Sequence, residues 1–226
     1  MTPQRSIDAL LRLLAWMSPA FPVGAFSYSG GLETAVNDRR ISTATELGDW
    51  ISMLLQRGTL WNDAVLLSRA WQSQEDQEDQ EELNALPALA QALAGSAERY
   101  RETVLMGDAF IDAAGAWPHP VLQRFAKATP YPVAVGAIAA AHGVGREETL
   151  VAYLHSGASQ LVSAGIRLGV AGQRDGVAIL ARLEGAISDV AQRAAGSTLD
   201  DLGSATILAD TASMRHEIQE TRLFRS

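Results

Sequence analysis

Apolar residues along this 226-residue chain recur at intervals of three and four, the spacing that gathers side chains on one face of an α-helix. Ile7, Leu10, Leu11 and Leu14 form the first stripe, which Ser18-Pro19 ends. Thr43-Ala44-Thr45-Glu46 reads as a capping box, a hydroxyl and a carboxylate placed to satisfy amides at a helix start. Leu47, Trp50, Ile51, Leu54 and Leu55 then share one face up to Gly58, and Leu60, Ala64, Leu67 and Trp71 carry a third helix. Residues 74–82 offer nothing apolar to bury and their like charges repel, so 73–84 is expected to be a flexible acidic linker.

After Pro87 the pattern predicts a long Ala-rich helix to about Ala114, with Leu89, Leu93, Tyr100 and Val104 on one side. Pro118 and Pro120 mark a turn, and short helices are expected over about 121–128 and 133–142. A helix from Arg146 repeats Leu154, Leu161 and Leu168 every seven residues, and its Gly157, Gly165 and Gly169 leave room for a neighbouring helix. Ile179, Leu183, Ile187 and Val190 define the next, and a last helix starts near Leu199. No period-two run bounded by turns occurs, so no strand is predicted. The expected fold is all-α, a single-domain bundle of about eight to ten helices across 1–226, with the apolar stripes as its core.

Composition narrows the function more than the fold. The formal net charge is −8, but six acids between Glu75 and Glu82 supply most of it, and the remainder carries about −2. The basic residues are arginines except Lys127, and no basic patch of the size nucleic acid needs is present. With no cysteine there is no disulfide or thiolate metal site, which suits a reducing compartment. Asp8 and Arg12 interrupt the N-terminal apolar stretch, so no signal peptide is read. The uncharged run 128–145 is broken by Pro130, Pro132, Gly136 and Gly143, which reads as a buried helix rather than a membrane span.

Catalytic signatures are missing. Lys127, in Phe125-Ala126-Lys127-Ala128, does not complete a phosphate-binding loop, and Gly165, Gly169 and Gly172 do not form a dinucleotide fingerprint. His216-Glu217 starts like a zinc-protease motif, yet Glu220 stands where the second histidine belongs. Ser27 and Ser29 lack the flanks of a nucleophile elbow. His119 reads as a turn residue, and His142 and His155 as helix histidines. His216 stands out by its polar surroundings. The reading is a binding protein, not an enzyme, with no cofactor and no metal ligands assigned.

Two segments fit no core pattern. Ser18-Pro19-Ala20-Phe21-Pro22-Val23-Gly24-Ala25-Phe26-Ser27-Tyr28-Ser29-Gly30-Gly31-Leu32-Glu33 is a shaped loop running into a helix. Residues 213–226 include Ser213-Met214-Arg215-His216-Glu217 and Thr221-Arg222-Leu223-Phe224, the composition of a segment that docks. These two, with Tyr131-Pro132-Val133-Ala134-Val135-Gly136 between them, resemble the signatures of the urease accessory UreF family, in the same order and over almost the whole chain.

The resemblance implies a cytoplasmic all-helical homodimer that binds the accessory protein UreD (UreH in some organisms). That pair recruits the nickel-carrying GTPase UreG and acts on apo-urease in nickel insertion. By position it implies a partner-binding surface of Phe26, Tyr28, Glu33, Arg167, Arg215, His216, Glu217, Arg222, Leu223 and Phe224. The tail is expected to order when UreD binds, its apolar residues having no partner in the free chain. The family often carries tyrosine where this chain has Phe26. The helix over 150–167 corresponds to one used in dimerisation, which implicates Tyr153, His155, Gly157 and Leu161. Two further readings stay open: a regulator of the partner GTPase that lends Arg167, Arg222 or Arg225 as an arginine finger, and a metal-binding enzyme built on His142, His155 and His216.

Overall fold

A computed structural model of the chain describes residues 3–75 and 80–226, with the side chains of 3–6 and 80 outside that description. The α-helices are α1 (Pro3–Trp16), α2 (Leu32–Asn37), α3 (Ala44–Arg57), α4 (Thr59–Glu75), α5 (Gln80–Ala92), α6 (Ala97–Ala114), α7 (Tyr131–Ala141), α8 (Arg146–Arg167), α9 (Gln173–Ala195) and α10 (Ile207–His216). Single 3-10 turns fall at Ala25–Ser27, Pro120–Arg124 and Leu199–Asp201. No strand occurs among the described residues, and the fold is the expected all-α bundle.

The centre of the bundle is α7. Every residue from Tyr131 to Ala140 is buried, so this helix is apolar all round rather than on one stripe. It lies chiefly against α4 and α6, with α8 on a further side. Gly136 makes the closest of these approaches possible, because a Cβ there would collide with the Leu67 carbonyl of α4. The Thr43 capping box forms as read: the hydroxyl accepts from the Glu46 amide at 3.3 Å, and the Glu46 carboxylate accepts from the Thr43 amide at 3.1 Å. Backbone and hydroxyl donation from Ser42 to the same carboxylate holds Glu46 below its ordinary range.

Four expectations are corrected. Ile7, Leu10, Leu11 and Leu14 were expected to face the core but are more than half exposed. Ala9, Leu13 and Trp16 pack inward instead, since seating Trp16 against Phe110, Trp117 and His142 fixes how α1 is rolled. The long helix after Pro87 is two helices: α5 runs through Pro87, and the chain breaks at Gly95 because Ser96 caps α6, accepting from the Arg99 amide at 3.0 Å. In place of a helix over 121–128 there is a 3-10 turn at Pro120–Arg124, and Leu199 opens another, with α10 starting only at Ile207.

The expected linker is largely helical where it is described. Residues 73–75 finish α4 and 80–84 begin α5, while 76–79 lie outside the described residues. Leu83 and Leu86 are buried against Leu66, Ala70 and Val133. Arg69 grips Glu82 with both ends of its guanidinium fork, at 2.7 and 2.8 Å. That bond holds the Glu82 carboxyl low and offsets part of the acidic repulsion.

Candidate functional site

The two segments that fit no core pattern meet in space. In the first, Gly24, Gly30 and Gly31 all have positive φ, which lets the loop turn from the 3-10 bend into α2. Gly31 is also constrained from outside: a Cβ would lie 2.6 Å from the Ser213 amide nitrogen of α10. The start of α2 is thereby brought against the start of the tail.

Glu33, in the first turn of α2 and 4 % exposed, is where the tail is caught. Its Oε1 accepts from the Leu223 amide at 2.7 Å, and its Oε2 from the Phe224 amide at 2.9 Å. The His216 Nε2 stands 3.1 Å from that same Oε2, and its Nδ1 stands 2.7 Å from Oε2 of Glu98 on α6. The imidazole is fully buried. The other oxygen of Glu98 accepts from the Arg222 guanidinium at 2.8 Å.

Beyond this cluster the tail lies along residues 27–29. The Arg225 amide donates to the Ser27 carbonyl at 2.7 Å, and the Ser29 amide to the Ser226 main-chain oxygen at 2.8 Å, which the Ser29 hydroxyl also contacts. Ser226 Oγ donates to Glu102 at 3.1 Å, which joins the tail to a buried network. There Asp63 accepts from Arg99 at 2.6 Å and from the Tyr153 hydroxyl at 2.8 Å, and Arg99 also faces Glu102 at 3.2 Å. Burial raises the Glu102 carboxyl and both the Tyr131 and Tyr153 phenols above their ordinary ranges. A cavity of about 500 Å³ lies beside the network, bounded by Phe21, Phe26, Leu60, Tyr131, His155 and Arg167 among others.

The residues singled out from the sequence separate into bed and face. Tyr28, Glu33, His216 and Phe224 are buried. Arg167 joins the two segments, donating to the Phe26 carbonyl with its guanidinium carbon 4.2 Å from the Phe224 ring centre. Arg215 pairs with Asp38, and Glu217 accepts from the Ala97 amide at 2.8 Å. Phe26 is 73 % exposed and Leu223 54 %. Of the tail's apolar residues, Phe224 is buried within the chain, whereas the Leu223 side chain is half exposed although its amide is held by Glu33.

The positions implicated in dimerisation behave differently from one another. Tyr153 and Leu161 are buried within the chain, and Gly157 faces Leu60 of α4, where a Cβ would lie 2.8 Å from its Cδ2. Gly165 makes a similar close approach to Leu47 of α3, but Gly169 adopts positive φ in open space and simply ends α8. His155 is exposed.

A family model for UreF matches residues 41–184. The chain is 65 % identical over 226 residues to Urease accessory protein UreF of Agrobacterium fabrum strain C58, with all of both chains covered. It is 60 % identical over 226 residues to the protein of that name from Rhizobium etli strain CIAT 652, and 52 % to the one from Rhizobium meliloti strain 1021, again with both chains wholly covered. The chain belongs to the UreF family.

Both halves of the clamp lie outside the matched segment 41–184, but the full-length UreF relatives span them. Sequence reasoning missed Glu98 and Glu102, the carboxylates through which α6 holds the tail. Their signal was present: Glu98, Glu102, Met106 and Phe110 fall four apart, so two acids continue an apolar stripe. An acid in such a position is buried only with a partner. Among the described residues, no group of three or more His, Cys, Asp or Glu side chains is arranged to hold a metal ion. No described helix is long and apolar enough to cross a membrane.

Proposed function

We propose that this UreF-family chain is a non-catalytic scaffold in urease maturation. In this reading it binds a UreD (UreH)-like accessory protein, and that pair recruits a UreG-like GTPase for nickel insertion into apo-urease, with the chain working as a cytoplasmic homodimer. The observation that carries the reading is the clamp between the 18–33 segment and the tail. It spends buried charge on fixing a surface segment, and it leaves Phe26, Leu223 and Ile218 exposed, Ile218 to 84 %. Apolar groups held rigidly at the surface favour association, because little side-chain or loop ordering remains to oppose binding.

The arginine-finger alternative is less favoured. Arg167 and Arg222 are both engaged within the chain, one on Phe26 and Phe224 and the other on Glu98. Co-purification of the chain with UreD- and UreG-like proteins tests the scaffold reading. We expect a stable complex with the UreD-like protein that an F26A/L223D double variant loses. A folded chain that captures neither folded partner would overturn it. Unchanged GTP hydrolysis by the UreG-like protein on mixing would remove the activator role alone.

A further inference from the structure

The cluster of Glu33, His216 and Glu98 has an unusual hydrogen inventory. A neutral imidazole carries one N–H and one lone pair, yet both ring nitrogens here face carboxylate oxygens, at 2.7 and 3.1 Å. One of those gaps would set a lone pair against an oxygen unless a further proton fills it. Both oxygens of Glu33 already accept tail amides, and Oε1 of Glu98 accepts from the Arg222 guanidinium, whose positive charge faces that carboxylate. We infer that His216 is held as an imidazolium, and that its second proton is a latch that keeps the tail seated by tying together the two carboxylates that grip it.

The charged groups around the ring support that assignment. Of the elements packed on α10, α2 presents Glu33 and α6 presents Glu98. Next to Glu98 on α6, Arg99 is engaged with Asp63 and Glu102, and one turn further along Glu102 accepts from Ser226. The tail contributes Arg222, which neutralises one side of Glu98 only. Removing the ring proton leaves two buried carboxylates around a neutral ring that can satisfy just one of them. An uncompensated buried acceptor disfavours the closed arrangement. Raising the pH therefore opens the tail, and lowering it again closes it. The ring is fully buried, so the proton leaves as the tail lifts rather than before.

This latch rests on the proposed role of the tail as the partner-facing element, but its test needs no partner. Failure to bind a UreD-like protein would leave the latch standing, and failure of the latch would leave the scaffold standing. The test reads two quantities in the isolated full-length chain: the nitrogen resonances of the His216 ring, and amide-exchange protection of Leu223 and Phe224 relative to the unstructured rate at each pH. We expect hydrogen on both ring nitrogens while the tail is protected, and protection falling by up to about tenfold per pH unit once the proton is lost.

H216Q, with a single donor group facing two carboxylates, should lose protection by about tenfold or more at every pH. E98Q is the informative control. Its amide can donate to a neutral ring while its carbonyl still accepts from Arg222, so protection should persist to high pH. A lone-pair ring nitrogen beneath a protected tail overturns the inference, as does protection in the unaltered chain that does not change with pH. If E98Q opens as readily as H216Q while circular dichroism shows both folded, the cluster is only structural and the latch is wrong.

Discussion

The guanidinium of Arg167, at the end of α8, covers the ring of Phe224 while donating to the main-chain carbonyl of Phe26. One side chain thus touches both segments of the clamp from a third element. Arg167→Ala removes a cation–π contact and a charge-assisted hydrogen bond, together worth about 1–2 kcal/mol at an exposed position. The tail should open roughly tenfold more often, read as faster amide exchange at Leu223 and Phe224, with the melting temperature lowered by only about 2–8 °C. Equal exchange in both proteins would mean that the tail is held without it.

Removal of residues 221–226 should leave helix content unchanged, because nothing beyond α10 is helical. It should nevertheless lower the melting temperature. The cut exposes the pocket of Phe224, worth about 2 kcal/mol, and strips two amide donors from buried Glu33, at about 1–3 kcal/mol. For a chain of this size those losses correspond to roughly 6–20 °C. Differential scanning calorimetry checks this, and an unchanged transition would show that the tail contributes no stability.

Asp63→Ala should be among the most damaging single changes. Asp63 accepts from Arg99 and from the Tyr153 hydroxyl, and its loss leaves a mostly buried guanidinium with Glu102 alone. Breaking a buried pair by removing one partner costs about 3–5 kcal/mol. Urea denaturation should report a loss of that order, and Asp63→Asn a smaller one.

His142 predicts a pH dependence of stability. Burial first, then the Arg12 guanidinium and neighbouring His119, push its imidazole down to about 4 from an ordinary value of 6.5. The folded chain therefore holds this ring neutral across a window in which the unfolded chain protonates it. Its contribution is complete above about pH 6.5 and is lost as pH falls towards 4. The difference in urea stability between the unaltered chain and H142Q should shrink across that interval and be level above it.

Most of the helices could be read from periodicity, because α3, α4, α8 and α9 each bury the stripe the spacing marks. What escaped had a common cause. On α1, two apolar faces compete, and spacing cannot say which one Trp16 draws inward. At Pro87 the proline suggested a helix start, whereas Ser96 supplied the cap. The site was half legible: residues 18–33 and 213–226 stood out by composition, but their mutual contact did not. The partners that explain Glu33, namely His216, Leu223 and Phe224, lie far along the chain, and carboxylates on an apolar helix announce burial without naming what they bind.

A helix with water on no side, as α7 is, has consequences for how the molecule comes apart. Its neighbours are its only solvent, so departure of any one of them strands a greasy rod and should pull the others away in the same event. The body ought therefore to melt in a single step, without a half-open state that keeps part of it. The hydrogen bonds of the clamped tail run to α2, α6 and residues 27–29, so its detachment breaks a different set of bonds from those that hold the rod. Such a division allows a terminal segment to come and go many times within the lifetime of one folded molecule.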